Sequence, residues 1–434
     1  MKIAFVLQPW DIAAPRTGGA SSIPILSQHL ARRLVRAGHA VVMYAKRSPG
    51  QPRQSAGADG ITYHHLSTAI EDKLFKLLKL LDRLPLAGNP KKPWFASVWY
   101  YVGYALRAAL YLRREGCDIV HLHNFSQFAP LIKVLNPGVK VVLHMHCEWL
   151  TQLDRTMIEK RLARVDWVVS CSDYITQKTR RRFAAAAGKC HTLLNGVDVD
   201  RFAGQHSPPA PRGDGARRLL YVGRVSPEKG VHVLLEAFRQ VAARFPQAQL
   251  DIVGPRQNAS FEFVVLVSDD EQVLKLASYY NGPLRRGDYD AHLQAQLPPE
   301  LSGHVTFTGP VPRTRLVEYF RRADIFIFPS VWHEPFGMPV VEAMAAGLPV
   351  VATDSGGITE IVEPGKTGLL VERGNAGALA DAIVRLLQDD ALRQTMGAAA
   401  FKRAAEFYAW GRVAEELLRQ YQAVLQSPAE PTAE

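Results

Sequence analysis

Two glutamates, Glu334 and Glu342, stand eight positions apart in HEPFGMPVVEAMAAGLPVVATDSGG, directly after the apolar run IFIFPS. If a helix begins near Met338 or Pro339, Glu334 sits in the loop before it and Glu342 one turn inside. The open end of such a helix presents unpaired backbone N–H groups and a partial positive charge, which suits a phosphate. Gly337 lets the backbone come close to a ligand, and Pro339 is compatible with a first helical turn. Two carboxylates beside a phosphate site can accept hydrogen bonds from sugar hydroxyls. A capping glutamate and a solvated one would be the plainer reading of the pair; the strand and loop that precede it favour the functional one.

Other segments carry weaker signals of the same kind. In VGRVSPEKG, Arg224 and Lys229 bracket a loop that opens onto a helix beginning near Val231, so both cations can reach anionic oxygens there. In APRTGGASS, Gly18 and Gly19 follow the first apolar run; without the full G-x-G-x-x-G spacing, a phosphate loop and a plain turn are equally good readings. Two His-x-His pairs, His121 with His123 and His144 with His146, fall at the ends of expected strands, where a spacing of two puts each pair on one sheet face. Four converging imidazoles suggest either a metal site or polar lining of an active site. Lining is preferred, because no carboxylate or cysteine pattern completes a recognised ligand set. The stretch from Glu71 to Arg107 sets Leu74, Leu77, Leu78 and Leu81 at helical spacing beside Lys73, Lys76, Lys91 and Lys92 and an aromatic cluster at Trp94, Phe95 and Trp99. A packed helix with a solvated basic face is the first reading, and an interfacial segment the competing one.

These residues need elements to hold them at strand ends. The 434 residues, 47% hydrophobic and 21% charged, are ordinary globular composition, with length for two to three domains. The 52 basic against 41 acidic side chains leave a net charge of +11, which favours acidic partners such as nucleotide diphosphates, anionic lipid or nucleic acid without choosing among them. Cys117, Cys147, Cys171 and Cys190 form no Cys-x-x-Cys pair, so a reduced, cytosolic-type compartment is expected. MKIAFVLQPW reads as a first buried strand rather than a signal peptide, and charged residues interrupt every apolar run before it reaches membrane-spanning length.

Apolar runs at 2–7, 39–44, 118–124, 139–146, 167–172 and 191–195 alternate with helix-length segments. The alternation restarts at 219–223, 250–254, 304–308, 325–329, 349–353 and 368–371. Such Val, Ile and Leu runs predict parallel sheets covered on both faces. QHSPPAPRGDGARR, residues 205–218, reads as a linker between two doubly wound α/β halves. The expected plan is therefore a first domain over 1–204, the linker 205–218, a second domain over 219–409, a last helix over 410–426 and a polar tail over 427–434. The segment between Pro255 and Gly303 is an apparent insertion without an assigned role. Ligands of such sheets bind beyond the carboxyl ends of the strands, and with two sheets the natural site is a cleft between them.

Taken in order, GGASS, VVLHMHCE, VGRVSPEKG, EPFGMPVVEAMAAG and YAWGRVAEELL resemble the retaining glycosyltransferases of family 4, with the GT-B fold of two Rossmann-like domains. The resemblance implies a nucleotide-sugar donor in the C-terminal half, an acceptor in the N-terminal half, and a final helix that returns to the first domain. Arg224 and Lys229 would neutralise the donor diphosphate. Glu334 would hold donor-sugar hydroxyls, Glu342 the ribose, and the amides of Phe336, Gly337 and Met338 would face sugar and phosphate. Gly18 and Gly19 would close on the diphosphate, and His146 would stand near the transferring sugar. His144 departs from the family pattern, which usually has Thr there, and His121, His123 and His144 are candidates for active-site lining.

The implied activity is metal-independent transfer of a hexose-type sugar, from a UDP-sugar first and GDP-mannose second, to a hydroxyl of a glycan, glycolipid or small molecule. No cofactor and no nucleic-acid partner are expected. The implied location is cytoplasmic, with peripheral contact at the inner membrane face through residues 71–107. A nucleotide-sugar epimerase on the same fold, a degenerate binding protein, and a metal-dependent hydrolase built on the histidines are the alternatives.

Overall fold

The computed structural model describes residues 1–13, 22–81, 89–203, 216–280 and 288–427. Gly18, Gly19, most of the expected linker and most of the tail lie outside them. The chain divides into two compact units; among the described residues the first comprises 1–13, 22–81, 89–195 and 410–427, and the second 196–203, 216–280 and 288–409.

The first unit is built on an eight-stranded sheet. Its strands are β1 (Lys2–Val6), β2 (Ala40–Lys46), β3 (Gln54–Ala56), β4 (Thr62–Leu66), β5 (Ile119–His123), β6 (Lys140–Met145), β7 (Trp167–Ser170) and β8 (Cys190–Thr192). They lie in the order β3-β4-β2-β1-β5-β6-β7-β8 and are parallel except for the β3–β4 pair. The second unit holds six parallel strands, β9 (Arg217–Val222), β10 (Ala248–Val253), β11 (Val305–Gly309), β12 (Ile325–Phe328), β13 (Val350–Thr353) and β14 (Gly368–Val371), in the order β11-β10-β9-β12-β13-β14. Relative to chain order this is 3-2-1-4-5-6, the Rossmann arrangement, and its order reverses between β9 and β12.

β3 and β4 were not expected. The sequence TYHHL hides a strand because its two histidines break the apolar run, yet His64 is buried against the Tyr44 ring at 5.1 Å and bonded to Glu115 at 3.1 Å. The helix Val231–Arg244 shows why the sheet faces are covered: Val231, Leu234, Leu235, Phe238, Val241 and Ala242 recur on one side and are buried in the core. The segment 255–303, an apparent insertion in the sequence, forms short helices at Phe261–Val264, Glu271–Lys275 and Tyr289–Ala295.

The first unit ends at Asn195, ahead of the expected boundary at 204. The helix Val199–Ala203 belongs to the second unit because Phe202 packs edge-on against Phe320, with ring centroids 5.6 Å apart, and the Val197 amide donates to the Tyr408 carbonyl at 2.6 Å. The last helix, Trp410–Gln426, is part of the first unit. Trp410, Val413, Ala414, Leu417, Tyr421 and Val424 form its buried stripe, the Trp410 indole stacks on His29 at 4.8 Å, and Gln420 donates to the Thr192 carbonyl at 3.0 Å. No helix among the described residues is long and apolar enough to cross a membrane.

Leu417 has no exposed surface, so Leu417→Ala leaves a cavity where this helix docks. The expected cost is about 2–5 kcal/mol, read as an earlier urea midpoint by circular dichroism. An unchanged midpoint would mean that the helix contributes nothing to the first unit's stability.

Candidate active site

The loops that leave β9 and β12 start on either side of the strand-order reversal, the place where doubly wound sheets bind ligands. After β9 the chain runs through a short turn at Pro227–Lys229 into the helix Val231–Arg244. Gly230 makes that passage at φ +71°, and a Cβ there would lie 1.9 Å from the Pro329 carbonyl oxygen, so no larger residue fits. After β12 the chain runs through Glu334 to Gly337, at φ +102°, which precedes the helix Met338–Ala345. A glycine cap offers no side-chain acceptor, Pro339 has no N–H, and the Val340 and Val341 amides donate to the Gly337 carbonyl, so the Met338 amide is the first-turn donor left for another partner.

The two loops meet through Glu334, which is buried. Its Oε1 accepts from Lys229 Nζ at 2.6 Å, Ser330 Oγ at 2.7 Å and Trp332 Nε1 at 2.7 Å. Its Oε2 has no hydrogen-bond partner among the described residues. The Lys229 ammonium also lies 5.2 Å from the Trp332 ring centroid. Glu342, likewise buried, uses Oε1 to accept from Arg313 Nη2 at 2.7 Å. Arg201 donates to the Arg313 carbonyl, so a second guanidinium stands beside the first; burial and the neighbouring Arg313 charge lower its pKa. Phe336 is buried with its ring edge-on to Tyr408 at 5.9 Å.

Arg224 and Lys229 have different partners in this site. Arg224 does not share an acceptor with Lys229; its Nη2 pairs at 3.0 Å with Glu228, a carboxylate with no exposed surface. Glu228 also takes Ser226 Oγ at 2.7 Å and Tyr280 OH at 3.1 Å. Its carbonyl accepts the amides of Val331 and Trp332 at 3.0 and 3.3 Å. Tyr280 comes from the 255–303 segment, and so does Asp270, which bonds Arg373 at 2.5 Å and pairs with His333 at 3.4 Å. The Arg373 guanidinium and the Gln272 amide pull the Asp270 pKa down against the opposing effect of its burial. The apparent insertion is thus the back wall of this site. Glu228, Tyr280, Asp270, Arg313 and Arg373 were not singled out in the sequence, although Glu228 lies inside a quoted motif.

In the first unit the four imidazoles converge at the ends of β5 and β6, where His123 is paired in register with His144. His121, His123 and His144 have no exposed surface, so they stand behind His146, which is half-buried, rather than lining a surface themselves. Burial pushes the pKa of His121 and His146 down to about 3 and those of His123 and His144 well below the ordinary value. All four are neutral at physiological pH. Of the basic residues at 71–107, Lys73 is exposed, while Lys92 is drawn to Asp154 at 3.6 Å; the side chains of Lys76, Leu77, Leu78 and Leu81 lie outside the described residues.

Two Rossmann-like units, with carboxylates and cations gathered at a strand-order reversal, define a GT-B type enzyme. The family Glycosyl transferases group 1 matches residues 205–403, and Glycosyltransferase Family 4 matches residues 26–201. Phosphatidyl-myo-inositol mannosyltransferase of Mycobacterium tuberculosis is 31% identical over 325 residues, covering 72% of this chain and 75% of that protein. Glycogen synthase of the same organism is 26% identical over 425 residues, covering 93% and 91%. Sucrose-phosphate synthase from Thermosynechococcus elongatus shares the fold, with a TM-score of 0.72 at 24% identity over 98% of both chains. The chain belongs to the family 4, group 1 glycosyltransferases and is a glycosyltransferase of the GT-B class.

Gly230→Ala sets a methyl group against the Pro329 carbonyl and forces a positive φ on an alanine. The φ requirement alone costs about 1–2 kcal/mol, and the clash adds to it. The expected result is a lowered melting temperature together with loss of nucleotide-sugar turnover. A variant with parental melting temperature would show that this turn has room to relax.

Proposed function

We propose that this enzyme is a retaining transferase that moves a hexose-type sugar from a nucleoside-diphosphate sugar to a hydroxyl of a glycan, glycolipid or small-molecule acceptor. UDP-sugars are the first donors to test and GDP-mannose the next. The observation that carries the reading is the distribution of partners on Glu334. One oxygen is saturated by Lys229, Ser330 and Trp332, while the other is left for a ligand hydroxyl four residues before the first residue of a helix without a side-chain cap. Glu342, whose Oε1 accepts from Arg313 alone among the described residues, takes the ribose hydroxyls.

Lys229, Arg224 and the amides of Phe336, Gly337 and Met338 neutralise the diphosphate. Charge that develops on the departing nucleotide is stabilised by groups already fixed by the fold, so the chain itself supplies the electrostatic part of catalysis. His146 accepts a hydrogen bond from a substrate hydroxyl.

A donor screen over UDP-, GDP- and ADP-sugars by thermal shift, followed by transfer assays, tests this reading. A specific donor raises the melting temperature. Lys229→Ala and Arg224→Ala each remove a charge-assisted contact of about 1.5–3 kcal/mol, expected to lower turnover roughly ten- to a hundredfold. Parental turnover in either folded variant removes that residue from the diphosphate site. Release of an epimerised sugar nucleotide without acceptor would overturn the transferase assignment.

The enzyme meets its acceptor at an anionic bilayer surface through residues 71–107 and the exposed apolar side chains that flank them. Ile70, Leu74, Trp94, Val98, Trp99, Leu106 and Leu110 are all exposed there, with Trp99 at 67% and Ile70 at 77%. Phe75 stacks on Tyr100 at 4.8 Å and meets Trp94 at 6.2 Å, so the helix Ala69–Leu81 and the aromatic segment adjoin. Apolar side chains enter the interface, and each nearby Lys adds about 1 kcal/mol that decays with salt. The expected outcome is salt-sensitive flotation with phosphatidylserine vesicles that is weakened in a Trp94→Ser, Trp99→Ser variant. Equal flotation of parent and variant with anionic and neutral vesicles would leave a soluble acceptor as the better account.

A further inference from the structure

The histidines of the first unit are strung together by hydrogen bonds whose direction can be worked out from one carbonyl. Ser27, fully buried on the helix Ser22–Arg36, has its Oγ 2.8 Å from the carbonyl oxygen of Ile23, one turn back. A carbonyl only accepts, so the single hydroxyl proton of Ser27 is committed there. The same Oγ lies 2.9 Å from His123 Nε2, and having no proton left it must accept from that nitrogen. His123 is neutral because it is wholly buried, so its other nitrogen, Nδ1, carries only a lone pair.

His123 Nδ1 faces His146 Nε2 at 2.9 Å, which makes His146 the donor. His146 is therefore protonated on Nε2 and bare on Nδ1. Its position is fixed by a second bond, from its backbone amide to Asn124 Oδ1 at 2.7 Å, and Asn124 is in turn held by Gln8 at 3.1 Å. Among the described residues Nδ1 of His146 has no hydrogen-bond partner. The ring is half-buried, whereas every other member of the string is closed off from solvent.

We propose that Ser27 and His123 are positioning residues that fix His146 in its Nε2–H tautomer, so that His146 presents Nδ1 as a neutral acceptor to a substrate hydroxyl. The role of the acceptor rests on the transferase reading above; the tautomer does not. The chemistry follows from the difference between the two tautomers. An Nδ1 lone pair orients a hydroxyl by accepting its proton in a hydrogen bond. The opposite tautomer would place a donor N–H there, and the hydroxyl would have to turn its oxygen toward the ring. A histidine in contact with solvent interconverts between the forms. Here the interconversion would require the buried His123 and Ser27 to reverse together, leaving the Ile23 carbonyl without its hydroxyl.

A metal centre is the rival use of the same residues, since His121, His123 and His144 each bring a ring nitrogen within 4.8 Å of the others. Two features weigh against it. His121 Nε2 and His144 Nδ1 already share a proton at 2.9 Å, and His121 Nδ1 is engaged by Tyr421 OH at 2.8 Å. The group also holds no carboxylate, so a divalent charge would be buried without compensation.

The test uses the full chain with 15N-labelled histidine. Long-range proton–nitrogen correlation spectra, with His146 assigned through His146→Gln, read the tautomer without substrate. The parent and Ser27→Thr are expected to show His146 protonated at Nε2. Ser27→Ala and His123→Leu are expected to shift it toward a mixture. Transfer by His123→Leu should fall at least tenfold in kcat while free-nucleotide affinity stays parental, and His123→Asn, whose amide oxygen replaces the Nδ1 acceptor, should recover part of it. An Nδ1–H tautomer in the parent, an unchanged tautomer in both Ser27→Ala and His123→Leu, or stoichiometric zinc bound by the parent and lost in His121→Ala would overturn the proposal. If the tautomer follows the expected pattern but no donor supports transfer, the transferase reading fails and the positioning relation stands.

Discussion

Glu228 is a carboxylate with no exposed surface, and the geometry of the second unit's site depends on satisfying it. A buried carboxylate is tolerated only where its lone pairs are occupied. Ser226, Arg224 and Tyr280 occupy them at 2.7 to 3.1 Å, and the Glu228 carbonyl collects the amides of Val331 and Trp332. These partners come from three places: the loop after β9, the loop after β12, and the segment 255–303. One acid thus holds three separate pieces of chain in a single arrangement. Lys229 is the next residue, so the same constraint carries its ammonium to Glu334. The close approach of Gly230 to Pro329 completes the join, because the two loops touch backbone to backbone there.

This organisation explains which parts were legible in the sequence. The twelve apolar runs correspond to strands because parallel strands covered on both faces need nearly continuous Val, Ile and Leu. β3 and β4 lie beyond the run of β2 at the sheet edge, where one is short and the other carries two histidines, and neither has that signature. Glu334, Glu342 and Lys229 stood out because each sits at a strand end beside glycines and a helix start, which is a local pattern. Arg313, Tyr280 and Asp270 have no such pattern. Their partners lie 29, 52 and 103 positions away, and only the strand order brings them together. The segment 255–303 was opaque for the same reason: its polar, Tyr-rich composition resembles a surface loop, yet its Tyr280 and Tyr289 are buried, with Tyr289 OH bonded to His232 Nδ1 at 3.0 Å.

The histidines were visible as pairs, but their spacing could not separate a ligand set from a hydrogen-bond chain. What separates them is burial together with charge. In the second unit each buried acid at the site is matched by a cation or by hydroxyl and indole donors, so charge is kept in the interior by pairing. In the first unit the four imidazoles at β5 and β6 carry none, since desolvation keeps them all neutral. A neutral imidazole has one donor and one acceptor, so a row of them transmits polarity in one direction only. The Ile23 carbonyl sets that direction for Ser27, His123 and His146. The second row, Tyr421 to His121 to His144, ends at His144 Nε2, which is buried without a partner. The two rows differ at their ends: one runs out to the partly exposed His146 ring, and the other stops inside the core. Partial exposure at the end of a directed row is what distinguishes His146 from His144, which is wholly buried.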